Sequence, residues 1–222
     1  MIEILSLHKN YKENSEEQLF ALKNINMTFE KETLSLVYGE SGSGKSSLLS
    51  IIAAITKPTS GAVIVDGENI ASFNDYFASS YREKRVGFIT QEFHLFDALT
   101  VEQNISVALA LSNLSLKETA RRVQEIAKKL HIEHKLKSLV STLSGGEKQR
   151  CIIARSLINE PDIILCDEPT ANLDRENSLR FIEILRELKA MKKTIIVVTH
   201  DMLFETLDIV DASYKMKDGT IE

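Results

Sequence analysis

Apolar residues recur along this chain in short blocks, and the spacing within each block predicts its conformation. Ile25, Met27 and Phe29 alternate with Asn26, Thr28 and Glu30, the period of two expected of a half-exposed strand. Leu34-Ser35-Leu36-Val37-Tyr38 is short, continuous and apolar, and reads as a buried strand. The longer run Leu48-Leu49-Ser50-Ile51-Ile52-Ala53-Ala54-Ile55 reads as a helix, broken by Pro58, Ser60 and Gly61. Ala62-Val63-Ile64-Val65 predicts a strand ending in an Asp66-Gly67 turn, and Val86-Gly87-Phe88-Ile89 predicts another. From about Glu92 to Thr142 the pattern is helical, with no good strand. There Ser115 and Glu118 form a capping-box pair, and Leu116, Ala120, Val123, Ala127 and Leu130 give the helix one apolar face. Ile163-Ile164-Leu165-Cys166 and Thr194-Ile195-Ile196-Val197-Val198 have the continuous character of central parallel strands. Between them Leu179, Ile182, Leu185 and Leu188 mark one side of a helix, and residues 214–221, with Asp218-Gly219, read as a hairpin.

The 222 residues suffice for one sizeable core with room for a subdomain, and 43% hydrophobic with 27% charged residues indicates a folded domain rather than disorder. With 27 basic and 32 acidic residues and no long basic run, nucleic acid is not expected as a partner. No apolar stretch reaches the roughly 18–20 residues needed to span a bilayer. The start, Met1-Ile2-Glu3-Ile4, lacks the features of a signal peptide. A cytoplasmic chain is expected, so that any membrane role would need a separate subunit.

Chemistry enters between the second and third predicted elements. Gly39-Glu40-Ser41-Gly42-Ser43-Gly44-Lys45-Ser46 joins a strand to a helix with the spacing G-x-x-x-x-G-K-[ST]. A polyphosphate must be approached closely by several backbone N–H groups, which glycines permit, and the N–H groups opening a helix attract the anion. Lys45 supplies a mobile positive charge for β- and γ-phosphates, and the Ser46 hydroxyl can ligate Mg²⁺. A second helix opening has the pattern Ser144-Gly145-Gly146-Glu147, with Ser144 as the cap of a helix running to about Ile158. Two glycines in a first turn lower helix propensity by roughly 1 kcal/mol each, which suggests that bare backbone is needed there for a second anion.

Asp167 and Glu168 follow a buried strand, where adjacent carboxylates are costly unless a cation or catalysis requires them. Asp167 is placed for Mg²⁺, and Glu168 could orient an attacking water. His200 follows the last core strand, at the end of an open α/β sheet where ligands bind. Other groups carry plainer readings. Residues 12–18 are polar and read as a loop or hairpin tip, and Tyr11 alone would be a core or edge aromatic. Arg82-Glu83-Lys84-Arg85 reads as a solvated face, and His131 and His134 as surface histidines without further ligands. Cys151 and Cys166 read as buried small hydrophobes.

Taken together these motifs resemble the ATP-binding subunit of an ABC transporter over nearly the whole chain. Leu143-Ser144-Gly145-Gly146-Glu147 resembles the family's signature, residues 39–46 its Walker A motif and residues 163–167 its Walker B motif. Gln91 resembles its Q-loop, Ala171-Asn172-Leu173-Asp174 its D-loop and His200 its switch histidine, and Tyr11 stands where an aromatic stacks on adenine. The resemblance implies an α/β P-loop NTPase with a RecA-like parallel-sheet core. An N-terminal antiparallel β subdomain and an inserted α-helical subdomain would complete it. Residues 1–91 and 159–222 would form the nucleotide-binding core, and residues 92–158 the helical subdomain. It implies ATP and Mg²⁺ as ligands, Glu168, His200, Lys45 and Gln91 as catalytic groups, and Ser46, Gln91 and Asp167 around the metal. The nucleotide would also meet Tyr11, Gly39 through Ser47, and, from a second copy, Ser144, Gly145, Gly146, Glu147 and Asp174.

The resemblance further implies two nucleotide-binding subunits paired head to tail, closed by ATP and opened by hydrolysis. An integral membrane permease would dock on the helical subdomain, and the chain would lie on the cytoplasmic side of the inner or plasma membrane. Residues 167–174, and those from Leu143 through Gln149 and Arg150, are similar to the MacB and LolD-like group, which serves lipoprotein release and macrolide or peptide efflux. The departures are Ser47 in place of the usual Thr, Lys31-Glu32 in place of Gly-Glu, and Cys151 in the signature helix. None removes a catalytic group. Two alternatives stand beside transport: a regulator of cell division resembling FtsE, and a soluble ATPase of iron–sulfur assembly. Repair and chromosome ATPases carry coiled coils or zinc cysteines between the phosphate loop and the signature, and this interval has neither.

Overall fold

The computed structural model describes residues 1–11 and 20–222, so the polar stretch 12–18 lies outside the described residues. Two sheets organise the chain. Strands β1 (Ile2–Asn10), β2 (Phe20–Phe29), β4 (Ser60–Val65) and β5 (Glu68–Asn69) form an antiparallel sheet in the order β2-β1-β4-β5. Strands β3 (Leu34–Tyr38), β6 (Val86–Ile89), β7 (Ile163–Asp167), β8 (Thr194–Thr199), β9 (Ala212–Lys217) and β10 (Thr220–Ile221) form the second, in the order β10-β9-β3-β8-β7-β6. Its strands are parallel except at the β9–β10 hairpin. The helices are α1 (Lys45–Ile52), α2 (Asp75–Arg85), α3 (Val101–Ser106), α4 (Leu116–Lys129), α5 (Gly145–Leu157) and α6 (Arg175–Ala190).

The continuous apolar runs are strands because the central sheet is covered on both faces. Successive side chains of a strand point to opposite sides. Leu34, Leu36, Ile164, Cys166, Ile195 and Val197 enter the core shared with α3, α4, α5 and α6. Their neighbours Val37, Ile163, Leu165, Ile196 and Val198 enter a second core with α1 and the antiparallel sheet. No polar face is left on β3, β7 or β8, as expected of parallel strands buried on both sides. Both cysteines lie in this interior. Burial pushes the Cys151 thiol up to about 12 and the Cys166 thiol further, with Asp167 adding to the latter.

Several predicted elements are corrected in detail. The helix after the phosphate loop stops at Ile52 rather than running to Ile55, because other elements claim its last carbonyls. Tyr81 Oη donates to Ile52 O at 3.1 Å, and Arg82 Nη1 donates to Ala54 O at 2.5 Å, with Ala54 in the left-handed region at φ 51°. The cluster at 82–85 is therefore not simply a solvated face. Arg85 Nη2 also donates to Asp66 Oδ2 at 2.7 Å, closing α2 over the β4–β5 turn. On α4, Leu116 is 91% exposed and Ala120 is exposed, and the buried face begins only at Val123. Ser115 caps Glu118 N at 3.2 Å, but the Glu118 carboxylate turns to Arg121 and Arg122 instead of back to the cap. On α6, Leu179 is exposed and Phe181 takes the core position beside Ile182, Leu185 and Leu188.

Candidate functional site

Strand register brings the candidate residues to one edge. Tyr38 pairs with Thr199, and Val198 pairs with Asp167, so β3, β8 and β7 end side by side. The loop beginning at Gly39, the Asp167-Glu168 pair and His200 therefore meet at the carboxyl ends of parallel strands, where open α/β sheets bind ligands.

The phosphate loop is shaped by its glycines. Gly42 and Gly44 have φ of 83° and 105°, and a Cβ on Gly44 would fall 2.3 Å from Ala21 O. Gly44 precedes α1 without a side-chain cap, leaving the first-turn N–H groups of α1 open toward the loop. Ser43 is buried, and its Oγ has no hydrogen-bond partner among the described residues. Lys45 is 5% exposed, and its ammonium donates to Gly39 O at 2.7 Å and Glu40 O at 2.9 Å. It also lies 3.8 Å from Glu168 Oε1. Desolvation lowers the Lys45 pKa, opposed by the charges of Glu168 and Asp167.

Ser46 Oγ donates to Asp167 Oδ1 at 2.9 Å, tying the start of α1 to the end of β7. Burial raises the Asp167 pKa, while the Ser46 hydrogen bond lowers it. Glu168 has φ 45°, unusual for a residue other than glycine, and its N–H donates to Val198 O at 2.9 Å. Its carboxylate is well partnered: Thr199 Oγ1 donates to Oε2 at 2.9 Å and His200 N donates to it at 3.2 Å. His200 Nδ1 lies 2.9 Å from Oε1. Lys45, Ser46, Asp167, Glu168 and His200 thus form one connected polar cluster.

The second helix opening is built as its sequence predicts. Ser144 N donates to Glu147 Oε2 at 2.8 Å and Ser144 Oγ accepts from Glu147 N at 3.4 Å, completing the capping box. Lys135 Nζ lies 3.1 Å from Glu147 Oε1. The Ser144 hydrogen bond and Lys135 hold the Glu147 carboxyl down at about 2, against a smaller desolvation effect. The two glycines differ. A Cβ on Gly146 would lie 2.5 Å from Asn177 Oδ1, so that side chain would have to move away from its Asp174 partner, whereas one on Gly145 would meet nothing nearer than Asn172 O at 3.8 Å. The surroundings crowd only Gly146. Asp174 caps α6 through Asn177 N at 2.8 Å, and Asn177 Nδ2 donates to both of its oxygens.

Gln91 is exposed, and its carbonyl accepts from Asn172 Nδ2 at 3.0 Å. Tyr11 is 51% exposed, with its Oη 3.2 Å from Ser47 Oγ and Lys9 Nζ 4.8 Å from the ring centroid. The Ser144 helix opening is held against Asn172 and Asn177, and no hydrogen bond among the described residues joins it to the phosphate loop. Among the described residues no group of three His, Cys, Asp or Glu could hold a metal, and none of the helices is long and apolar enough to cross a membrane. Two site residues escaped the sequence. Thr199, fully buried, belongs to no motif, and Gln149 stands out only as part of the stretch from Leu143 to Arg150. Both owe their place to partners remote in the chain.

Residues 22–171 match the family described as ABC transporter. The ATP-binding protein LolD of a lipoprotein-releasing system, from Buchnera aphidicola, is 35% identical over 205 residues, covering 92% of this chain and 89% of that protein. The macrolide export ATP-binding/permease protein MacB of Mannheimia succiniciproducens is 40% identical over 201 residues, covering 90% of this chain but 31% of that protein. Among solved structures, the dimeric bacterial ABC transporter cassette MJ0796 superposes with a TM-score of 0.91 at 34% identity, covering 100% of this chain and 97% of that one. A structure of the same cassette with ADP and phosphate, described as a post-hydrolysis state, also scores 0.91. The chain belongs to the ABC transporter family, as an ATP-binding and ATP-hydrolysing cassette.

Proposed function

We propose that ATP binds with its phosphates on the loop from Gly39 to Ser47 and its adenine against Tyr11. Glu168 would act as the general base for the attacking water. The observation that carries this reading is the cluster at the end of the sheet in which buried Lys45 and exposed His200 share the Glu168 carboxylate. Lys45 exchanges its carbonyl partners for β- and γ-phosphate oxygens, and His200 steadies the γ-phosphate. Thr199 and the His200 amide keep the carboxylate aimed while it polarises water. The donor set also fits Mg²⁺, which takes hard oxygen ligands, one or two carboxylates, substrate phosphates and water. Ser46 Oγ and Asp167 Oδ1, already 2.9 Å apart, would hold it together with Gln91. When bound, the ion neutralises charge developing between the β- and γ-phosphates.

The reading extends to a second copy. Ser144, Gly145 and Gly146 close over the γ-phosphate held by a partner chain, and Glu147 and Asp174 keep that surface in shape. Residues 92–158 then act as the helical subdomain that docks a membrane permease of the MacB or LolD type, with the core made by residues 1–91 and 159–222. The cassette lies on the cytoplasmic side of the inner or plasma membrane, held there by that permease. The names of the similar proteins and the dimeric structural neighbour support this. Mixing Ser144→Arg chains with Lys45→Ala chains tests it. Each is expected to be inactive alone and to regain part of the ATPase rate in mixed dimers, where one composite site is whole. No recovery in dimers shown to be mixed would refute the head-to-tail site.

A further inference from the structure

Gln149 lies on α5, two residues beyond Glu147, and takes no part in the chemistry described above. It is 4% exposed, and its Nε2 donates to Pro169 O at 3.1 Å. Pro169 directly follows Glu168, whose backbone is held in a conformation that residues other than glycine rarely adopt. The turn after Glu168 is closed from within by Ala171 N, which donates to Glu168 O at 3.2 Å, and Leu173 N, which donates to Thr170 O at 3.0 Å. Gln149 grips this turn from outside, at the peptide next to the base. Its own backbone belongs to the helix opened by Ser144, Gly145 and Gly146. A single rigid element therefore carries the surface offered to a partner's γ-phosphate at one end. Two turns at most separate it from the Pro169 carbonyl, one residue beyond Glu168.

We propose that Gln149 is a positioning residue that couples the two ATP sites of the dimer. This rests on the head-to-tail reading given above. In that arrangement Ser144 of one chain covers the ATP bound by its partner, whereas Glu168 of the same chain faces its own ATP. Engagement of the Ser144 helix at one site pulls through Gln149 on the Pro169 carbonyl and aligns the base of the other. ATP capture at either site thus prepares hydrolysis at its neighbour, and the sites fire cooperatively. The device needs no change in the residues that bind ATP.

Gln149→Met keeps the length of the side chain but removes the donor, and Gln149→Glu keeps the shape but replaces the donor with an acceptor. Both are measured as the full purified chain, so that one variant suffices if the other fails to fold. ATPase rate against ATP concentration is expected to show kcat reduced tenfold or more and the Hill coefficient falling from above one to near one. ATP affinity in the Glu168→Gln background is expected to stay within twofold. A kcat within twofold of wild type with an unchanged Hill coefficient would overturn the proposal. So would a kcat that falls together with ATP affinity and melting temperature, since Gln149 would then only support the fold. If Glu168→Gln with Gln149 intact forms no ATP-bound dimer, the head-to-tail reading itself fails. If that dimer forms and the Gln149 variants behave as wild type, only the coupling fails.

Discussion

Gly145→Ala separates what the fold needs from what the partner's nucleotide needs. A Cβ there meets only Asn172 O, at 3.8 Å, an ordinary van der Waals contact. Alanine in a helix is favoured over glycine by up to about 1 kcal/mol, and less in the first turn. The variant is therefore expected to melt at the same temperature or about 1–4 °C higher, given about 2–4 °C per kcal/mol for a chain of this size. In the proposed head-to-tail dimer the added methyl would stand on the face offered to a γ-phosphate, where the amide must approach within hydrogen-bond distance. Losing one hydrogen bond to a charged group costs about 1.5–3 kcal/mol. That corresponds to a drop of roughly 10- to 160-fold in ATPase rate and in ATP-driven dimerisation. Thermal melting, steady-state hydrolysis, and sedimentation with ATP in a Glu168→Gln background check the three quantities. A stable variant that hydrolyses within twofold of wild type would refute the placement of this amide against phosphate. A melting temperature lower by several degrees would refute the open surroundings of Gly145.

The neighbouring glycine differs: Gly146→Ala drives a Cβ to 2.5 Å from Asn177 Oδ1, so Asn177 must swing off Asp174, and loss of that hydrogen bond should destabilise the chain by about 0.5–1.5 kcal/mol, seen as a lower denaturant midpoint. Glu168→Gln is expected to abolish turnover, keep ATP binding and trap an ATP-bound dimer; hydrolysis near the wild-type rate would show that Glu168 is not the base. The Ser144 amide holds the Glu147 carboxyl down at about 2, below its ordinary 4.5. Its depressed value contributes stability fully present above about pH 4.5 and lost as pH falls toward 2. Urea midpoints across that range should therefore fall less steeply for Glu147→Gln than for wild type.

Elements and their order were legible because hydrophobic periodicity reports the face a segment buries. β3, β7 and β8 read as continuous apolar runs and lie in the sheet with both faces covered. Periodicity reports less well where a helix leaves the core. Leu116 and Leu179 fit the helical spacing yet are exposed: α4 buries its face only from Val123 onward, and on α6 the buried face runs through Ser178, Phe181, Ile182, Leu185 and Leu188, to one side of Leu179. The end of α1 was misplaced for another reason. Ala53, Ala54 and Ile55 continue the apolar run, but Tyr81 and Arg82 from α2 take the carbonyls there, and nothing local in the sequence records that.

The candidate site divides along the same line. Topology alone places the residues after β3, β7 and β8 at one edge, so Lys45, Asp167, Glu168 and His200 could be grouped before any side-chain contact was known. The bonds that fix their geometry join residues far apart in the chain: Ser46 to Asp167, 121 residues apart, Asn172 to Gln91, 81 apart, and Thr199 to Glu168, 31 apart. Spacing rules reach a few residues along a helix or one register along a strand, so these partners leave no periodic mark. Helix caps are the exception that tests the rule. The Ser144–Glu147 box closes within four residues, and sequence and structure agree on it. The half of the site that a second chain would use is thus the half most fully written in local sequence. The half around Glu168 is held by Thr199 and, in the proposed coupling, by Gln149, whose contacts exist only once the sheet and α5 have come together.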